Sequence, residues 1–221
     1  MPTLALFDLD NTLLIGDSDH AWGLFLAEIG AVNPKEQIKK QKQFYAQYQD
    51  GSLDIHEFLD FQFTPLKNNS LEQLEAWRIE YIDKYIKPMI TSDRLDLVKK
   101  HQDQGHETII ITATNSFVTK PIADLFNIEY LIATEPEQNT HGFTGKLSGT
   151  PCFQAGKIVK LNSFLKEMYS KKIQLENTES WFYSDSHNDL PLLKAATHPV
   201  AVTPDEKLKL HALKNEWKII N

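Results

Sequence analysis

The chain has 221 residues, of which 41% are hydrophobic and 24% are charged. This composition is typical of a soluble globular protein, and the length allows one sizeable core with or without a small additional domain. Because the net charge is −7, a nucleic-acid-binding surface is disfavoured and we expect no nucleic-acid partner.

Three sequence features bear on cellular location. The single cysteine, Cys152, excludes an internal disulfide framework and fits a reducing cytosol. The apolar run near the N-terminus is short and stops at Asp8, unlike a signal peptide. No segment approaches the apolar length that a bilayer-spanning helix needs. We therefore expect a cytoplasmic protein without a membrane partner.

The first predicted strand is followed by a block that predicts helices. Residues 3–7 form a short apolar run, which is typical of a buried strand. Apolar spacing and N-caps predict four helices, over residues 17–29, 34–49, 54–63 and 70–86. We expect residues 16–86 to form a small all-helical cap domain inserted after the first strand, and residues 1–15 and 87–221 to form the core domain.

From residue 93 onward, predicted helices and strands alternate. The strands cover residues 107–112, 130–133, 181–183 and 199–202, with a last short strand near the end of the chain. The helices cover residues 93–104, 116–126 and 157–169, with one more before the last strand. Residues 142–149 contain frequent glycines and predict a hairpin. The alternation implies right-handed crossovers and an α/β fold with a doubly wound, Rossmann-like parallel sheet.

Two carboxylates directly follow the first strand. Asp8 and Asp10 are two residues apart in an extended segment, so their side chains point to the same side. Their repulsion separates their proton affinities unless a cation intervenes. A divalent metal can keep Asp8 ionised while Asp10 holds a proton, which yields a nucleophile and a general acid. The alternative is an Asp-Asn-Thr turn that caps the next helix.

A second acidic cluster follows the strand at residues 181–183. Asp185 and Asp189 lie four residues apart across a turn that opens a helix, and their oxygens suit a hard cation such as Mg²⁺. The alternative is a plain N-cap for the helix that begins near Asn188.

Two further elements could hold a phosphate. Thr112 and Ala113 end the isoleucine-rich strand and lead into a helix, where a hydroxyl and free amides can bind an anion. Lys157 near the start of a helix could supply a positive charge. A helix cap and a solvated lysine are the respective alternatives, and Lys160 is the rival of Lys157.

Three of these four elements follow separate predicted strands, and open parallel sheets bind ligands at that edge. In this order they resemble the motifs of the haloacid dehalogenase superfamily. The matching segments are residues 8–12, residues 111–114, Lys157 and residues 184–189. The last motif and the helical insertion resemble the phosphoserine-phosphatase-like branch, subfamily IB, whose bacterial members include histidinol phosphatases and phosphoserine phosphatases.

The resemblance implies a phosphomonoesterase mechanism with a small phosphorylated metabolite as substrate. Asp8 would attack phosphorus and become an aspartyl phosphate. Asp10 would protonate the leaving oxygen and then activate water. Thr112, Ala113 and Lys157 would hold the phosphate oxygens.

The resemblance also implies a Mg²⁺ cofactor. Its ligands would be the carboxylates of Asp8 and Asp185 and the backbone carbonyl of Asp10. Asp189 and Asn188 would support this site.

The cap departs from the phosphoserine-phosphatase pattern. Asp17 stands near the place of a glutamate that reads the amino-acid end of phosphoserine, and Arg78 lies too late for the expected arginine. Asp17, Asp19 and the aromatic Trp22 would instead suit a cationic or imidazole-bearing substrate. The alternative for Trp22 is a place in the core of the cap.

Three competing functions share parts of this pattern. A haloacid dehalogenase needs neither an acid two residues after the nucleophile nor a metal, so Asp10 and Asp185 argue against it. A non-enzymatic phosphoacceptor domain would be much shorter and would lack the helical insertion. A phosphotransferase that passes the phosphoryl group to a second substrate remains open.

Overall fold

A computed structural model of the chain describes residues 2–169 and 173–221. Its centre is a seven-stranded sheet in the order β4-β3-β2-β1-β5-β6-β7. The strands are Leu4–Phe7 (β1), Glu107–Asn115 (β2), Tyr130–Asn139 (β3), Gly142–Ser148 (β4), Ser180–Ser184 (β5), His198–Val202 (β6) and Lys218–Ile220 (β7).

The sheet is parallel except at one edge. β1 pairs in parallel with β2 on one side and with β5 on the other, so that Leu4 lies opposite both Glu107 and Ser180. β4 pairs antiparallel with β3. These pairings confirm the predicted α/β fold with a mostly parallel sheet.

The glycine-rich segment is a single strand, so the prediction of a hairpin within residues 142–149 is wrong. The whole of β4 pairs with β3, and β3 extends beyond the predicted residue 133 to Asn139. The hairpin therefore consists of both strands, and the chain reverses between Asn139 and Gly142.

The helices are Ser18–Glu28 (α1), Pro34–Asp50 (α2), Ile55–Asn68 (α3), Leu71–Tyr81 (α4), Ser92–Asp103 (α5), Ser116–Leu125 (α6), Ala155–Met168 (α7), Leu190–Ala195 (α8) and Glu206–Lys214 (α9). N-capping side chains of the expected types precede the first four helices. Asp17 accepts from the backbone N–H of His20, and Asn33, Asp54 and Ser70 act in the same way at α2, α3 and α4. A π-helical turn, Ile82–Ile86, continues α4.

Apolar residues cover both faces of β1. Ala5 and Phe7 belong to one buried cluster, and Leu4 and Leu6 belong to another on the opposite face. This explains why β1 is apolar at every position rather than at alternate ones. The first cluster continues into residues of α1, α3 and α4, so these three helices pack onto the sheet through shared apolar side chains. The boundary between cap and core at residues 16 and 86 stays a prediction.

No helix among the described residues is long and apolar enough to cross a membrane.

Candidate active site

Asp8 forms a buried ion pair immediately after β1. Its Oδ1 atom accepts from Nζ of Lys157 at 2.7 Å, and Lys157 also donates to Oδ2 of Asp189 at 2.7 Å. Lys157 is 2% exposed and lies in the first turn of α7. The hydroxyl of Ser184 donates to Asp189 at 2.7 Å and holds that carboxylate in place.

Burial and charge have opposite effects on the pKa values of Asp8 and Lys157. Burial raises the pKa of Asp8 to about 7, although the Lys157 ammonium lowers it. Burial lowers the pKa of Lys157, but the charges of Asp189 and Asp8 outweigh that effect and hold this pKa above its ordinary value. Lys157 is therefore a permanent cation between two carboxylates.

Asp10 is held by donors from two different elements. Its Oδ1 atom accepts from the backbone N–H of Ser18, at the start of α1, at 2.6 Å. Its Oδ2 atom accepts from the hydroxyl of Thr114 in β2 at 2.8 Å. Burial, followed by the charge of Asp17, raises the pKa of Asp10 to about 6. A carboxyl group with a pKa near neutrality can both release and take up a proton in one catalytic cycle.

Thr114 is a residue whose contact with Asp10 we did not predict. It is two residues beyond Thr112 at the end of β2, and its backbone N–H donates to the Thr112 hydroxyl at 3.2 Å. That spacing is visible in the sequence and could have indicated Thr114.

Asp185 lies in the loop that follows β5. Its backbone N–H donates to the Thr12 hydroxyl at 3.0 Å, and that hydroxyl donates to Oδ1 of Asp185 at 3.2 Å. Thr12 thus joins the two acidic loops. Burial, and then the charges of Asp8 and Asp189, raise the pKa of Asp185 well above its ordinary value.

Most of the predicted site residues line one cavity of about 130 Å³. The predicted residues that line it are Asp8, Asp10, Asp17, Thr112, Ala113, Lys157, Asn188 and Asp189. Among the described residues that line this cavity, Lys157 is the only lysine or arginine.

The end of α2 closes one side of this cavity. Tyr48 donates its hydroxyl proton to the Ser186 hydroxyl at 2.8 Å, and the Asn188 amide donates to the Tyr48 carbonyl at 3.1 Å. Lys207 of α9 donates to the carbonyl of Gln49 at 2.9 Å. Polar contacts thus join the second acidic loop to the helices of residues 18–81.

Trp22 does not have the place that a substrate-selecting residue requires. It is 1% exposed, stacks on Phe25 with ring centroids 5.6 Å apart, and meets the edge of Tyr81 at 5.1 Å. The ring fills the apolar cluster because it lies on the inner face of α1. The prediction that Trp22 selects the substrate is therefore wrong, and the alternative of a core residue is correct.

Arg78 also points away from the cavity. Its guanidinium lies 4.4 Å from the centroid of the Phe117 ring and donates to the Phe117 carbonyl at 2.8 Å. It borders a separate, open cleft against β3 and β4.

A cation fits the donor set at the end of β1. The carboxylates of Asp8 and Asp189 share the Lys157 ammonium, and burial, followed by the charges of Asp8 and Asp189, raises the pKa of Asp185. Within residues 2–169 and 173–221, no three His, Cys, Asp or Glu side chains converge tightly enough to hold a metal by themselves. The residues that could hold one are Asp8 and Asp185, together with the backbone carbonyl of Asp10.

The chain matches the family of haloacid dehalogenase-like hydrolases over residues 5–194. It is 42% identical to a histidinol-phosphatase from Neisseria meningitidis serogroup C (strain 8013), and the match covers 100% of this chain and 99% of that protein.

Solved structures show the same fold. A protein of unknown function from Bordetella pertussis Tohama I superposes with a TM-score of 0.93 at 40% identity, covering 100% of this chain and 99% of the other. A substrate-bound phosphoserine phosphatase superposes with a TM-score of 0.68 at 18% identity, covering 100% of this chain and 92% of the other.

Proposed function

The chain belongs to the haloacid dehalogenase-like hydrolases and is a phosphatase, and on this premise we propose that it hydrolyses histidinol phosphate through Asp8. The observation that carries the chemistry is the buried ion pair between Asp8 and Lys157 beside Asp10, with all three side chains lining one cavity. The charge of the residues that line the cavity supports the choice of histidinol phosphate as substrate.

The first half-reaction uses Asp8 as nucleophile and Asp10 as acid. A carboxylate oxygen of Asp8 attacks phosphorus in line, and the bond between phosphorus and the alcohol oxygen breaks. The proton on Asp10 passes to the leaving oxygen. This yields a free alcohol and a phosphoryl group on Asp8.

The second half-reaction releases phosphate. The Asp10 carboxylate takes a proton from water, and the water oxygen attacks phosphorus. The bond between phosphorus and the Asp8 oxygen breaks, which regenerates both carboxyl groups. The bonds from Ser18 and Thr114 hold Asp10 in place for both proton transfers.

The phosphate oxygens would be held by Thr112, Ala113 and Lys157, which line the cavity around Asp8. Lys157 matters most, because its fixed charge offsets the negative charge that gathers on the transferring group. Asp189 and Ser184 keep Lys157 in place.

Mg²⁺ would be held by Asp8, Asp185 and the carbonyl of Asp10. When bound, it supplies positive charge that neutralises the phosphoryl group and favours the ionised form of the nucleophile. Asp189 and Asn188 support the loop that carries Asp185.

The charge of the cavity favours histidinol phosphate over phosphoserine. The carboxylate of phosphoserine needs a cation, but among the described lining residues Lys157 is the only lysine or arginine, and Asp8 and Asp189 already pair with it. Asp17 and Asp19 also line the cavity, and two carboxyl groups suit the ammonium and the imidazole ring of histidinol phosphate. The name of the relative from Neisseria meningitidis agrees with this choice.

A panel of phosphomonoesters with Mg²⁺ tests this proposal. We expect kcat/KM for histidinol phosphate to exceed that for phosphoserine and for sugar phosphates by about a hundredfold or more, because a carboxylate or a sugar gains no partner in an acidic cavity. Equal turnover of all these compounds would contradict it. We also propose a cytoplasmic location, which the free and buried thiol of Cys152 supports.

A further inference from the structure

Two buried acceptor oxygens lie on the cavity side of α1 and α2 without a donor. Asp19 and Gln41 both line the cavity, and they are only 6% and 7% exposed. Oδ1 of Asp19 and Oε1 of Gln41 have no hydrogen-bond partner among the described residues. Buried side-chain oxygens are normally paired, so two unpaired ones in one cavity indicate a ligand that donates hydrogen bonds.

The other polar atoms of both side chains are already used. The amide of Gln62 donates to Oδ2 of Asp19. The amide nitrogen of Gln41 donates to the backbone carbonyl of His20 at 2.9 Å, which fixes the orientation of that amide group. Oδ1 of Asp19 and Oε1 of Gln41 therefore remain for a ligand.

Gln41 of α2 packs against the face of α1 that carries Asp19. Asp19 and Gly23 are four residues apart in the helix, so they are neighbours on its surface. A Cβ atom at position 23 would lie 2.3 Å from the amide nitrogen of Gln41. The absence of that atom lets Gln41 lie flat on α1, one turn from Asp19.

The surroundings disfavour the ionised form of Asp19, which a bound cation would stabilise, and they offer flat apolar surface. Burial, followed by the charges of Asp17 and Asp10, raises the pKa of Asp19 well above its ordinary value. Phe44 and Phe58 line the same cavity with their rings 5.3 Å apart at the centroids. A planar cationic group with N–H donors would match both properties.

Three other buried polar atoms also lack a partner among the described residues. They belong to Ser18, Trp22 and Gln47. These residues are not among those that line the cavity, so they do not bear on the ligand.

We infer that Asp19 and Gln41 determine substrate specificity by accepting hydrogen bonds from the two N–H groups of a protonated imidazole ring. The inference rests on the proposed function, in which Asp8 attacks the phosphate of histidinol phosphate. In this arrangement Asp19 and Gln41 bind the imidazole ring, at the end of the substrate away from the phosphate. Asp17 binds the ammonium group, which is closer to phosphorus.

The test compares histidinol phosphate with phenylalaninol phosphate, which keeps the phosphate, the ammonium group and an aromatic ring but has no ring N–H. For the wild-type protein we expect kcat/KM to favour histidinol phosphate by about tenfold or more, since two acceptors stay unpaired with the phenyl analogue. Asp19→Asn and Gln41→Met should each remove most of this preference by raising KM for histidinol phosphate. The readout is the ratio of kcat/KM for the two substrates in each variant.

Asp60→Asn is the matched control, because it makes the same chemical change at an exposed position of α3. We expect it to keep the wild-type preference. Thermal unfolding of each variant shows whether it folds. If Asp19→Asn does not fold, the Gln41→Met variant alone is used for the comparison.

The outcomes separate the inference from the proposed function. If the wild-type protein hydrolyses histidinol phosphate no faster than phosphoserine, the proposed substrate is wrong and the inference fails with it. If the wild-type protein prefers histidinol phosphate over phosphoserine, two results overturn the inference alone. One is equal turnover of the phenyl analogue, and the other is a preference that survives in both folded variants.

Discussion

The ammonium of Lys157 lies 2.7 Å from Oδ1 of Asp8, and both groups are buried. The same ammonium lies 2.7 Å from Oδ2 of Asp189. One cation therefore compensates two carboxylates that water scarcely reaches. Its removal would leave both charges unpaired, so Lys157 should affect stability as well as catalysis.

The Lys157→Met variant should be strongly destabilised near neutral pH. We expect its free energy of unfolding to fall by about 3–5 kcal/mol, because two buried carboxylates lose their counter-ion. Urea unfolding measures this loss. Lys160→Met, one turn further along α7, is the matched control and should change stability by less than about 1 kcal/mol. A similar small loss in Lys157→Met would show that the ion pair is unimportant for stability.

The loss of activity in the Asp10→Asn variant should depend on the leaving group of the substrate. Asparagine keeps the size of the side chain but cannot give a proton to the leaving alcohol. We expect turnover of alkyl phosphates to fall by about 10²–10⁴-fold. With p-nitrophenyl phosphate, the first turnover, measured as a burst of nitrophenolate, should be slowed much less, since this leaving group needs no proton. Equal slowing of both substrates would argue against Asp10 as the acid.

The Asp185→Asn variant should need more Mg²⁺. The Thr12 hydroxyl can still hold the new side chain, but one negative charge is lost from the cation site. We expect the Mg²⁺ concentration for half-maximal activity to rise by about 10–100-fold. Asp60→Asn again serves as the control and should titrate like the wild-type protein. An unchanged Mg²⁺ titration in Asp185→Asn would remove this residue from the cation site.

His101 should make stability depend on pH. Burial, followed by the charges of His106 and Lys100, lowers the pKa of His101 from 6.5 to about 4. Between these values the unfolded chain binds a proton that the folded protein does not, so the contribution of His101 is fully present above pH 6.5 and is lost as the pH falls towards 4. At about 1.4 kcal/mol per pH unit the loss would be roughly 3 kcal/mol, and solvent screening reduces it to roughly 2 kcal/mol.

The measurement is the difference in unfolding free energy between the wild-type protein and His101→Gln, followed across that pH range. The carboxylates titrate in both proteins and cancel in the difference. The wild-type protein should lose more stability than the variant on acidification. His141→Gln, at an exposed position, should behave like the wild-type protein. Parallel pH profiles for the wild-type protein and His101→Gln would contradict the expected role of His101.

The sheet and its polar edge could be predicted because local patterns specify them. Leu4–Phe7 is apolar throughout since β1 is covered on both faces, and Asp8 follows where the strand ends. Parallel strands end at one edge, so acidic residues after β1 and β5 had to approach each other. Thr112 lies at the same cavity for the same reason, whereas Lys157 reaches it from the first turn of α7.

Other features depend on packing that no local pattern encodes. An aromatic residue at helical spacing could face either the core or a cavity, and Trp22 faces the core because Phe25 and Tyr81 surround it. Residues 142–149 have the composition of a turn but form a strand, because β3 offers them an unpaired edge. The contact between Gln62 and Asp19 joins residues 43 positions apart in the chain, so only the tertiary structure shows which oxygen of Asp19 remains without a donor.

The most direct test of the mechanism is to trap the phosphoryl group on the protein. Histidinol phosphate with labelled phosphorus is mixed with the enzyme and Mg²⁺, quenched with acid during turnover, and the peptides are analysed by mass spectrometry. We predict labelled phosphate on the peptide that contains Asp8, in a bond that hydroxylamine cleaves, and none in Asp8→Asn, which should fold but not turn over. Phosphate release without any label on Asp8, or substantial turnover by Asp8→Asn, would contradict the assignment of Asp8 as the nucleophile.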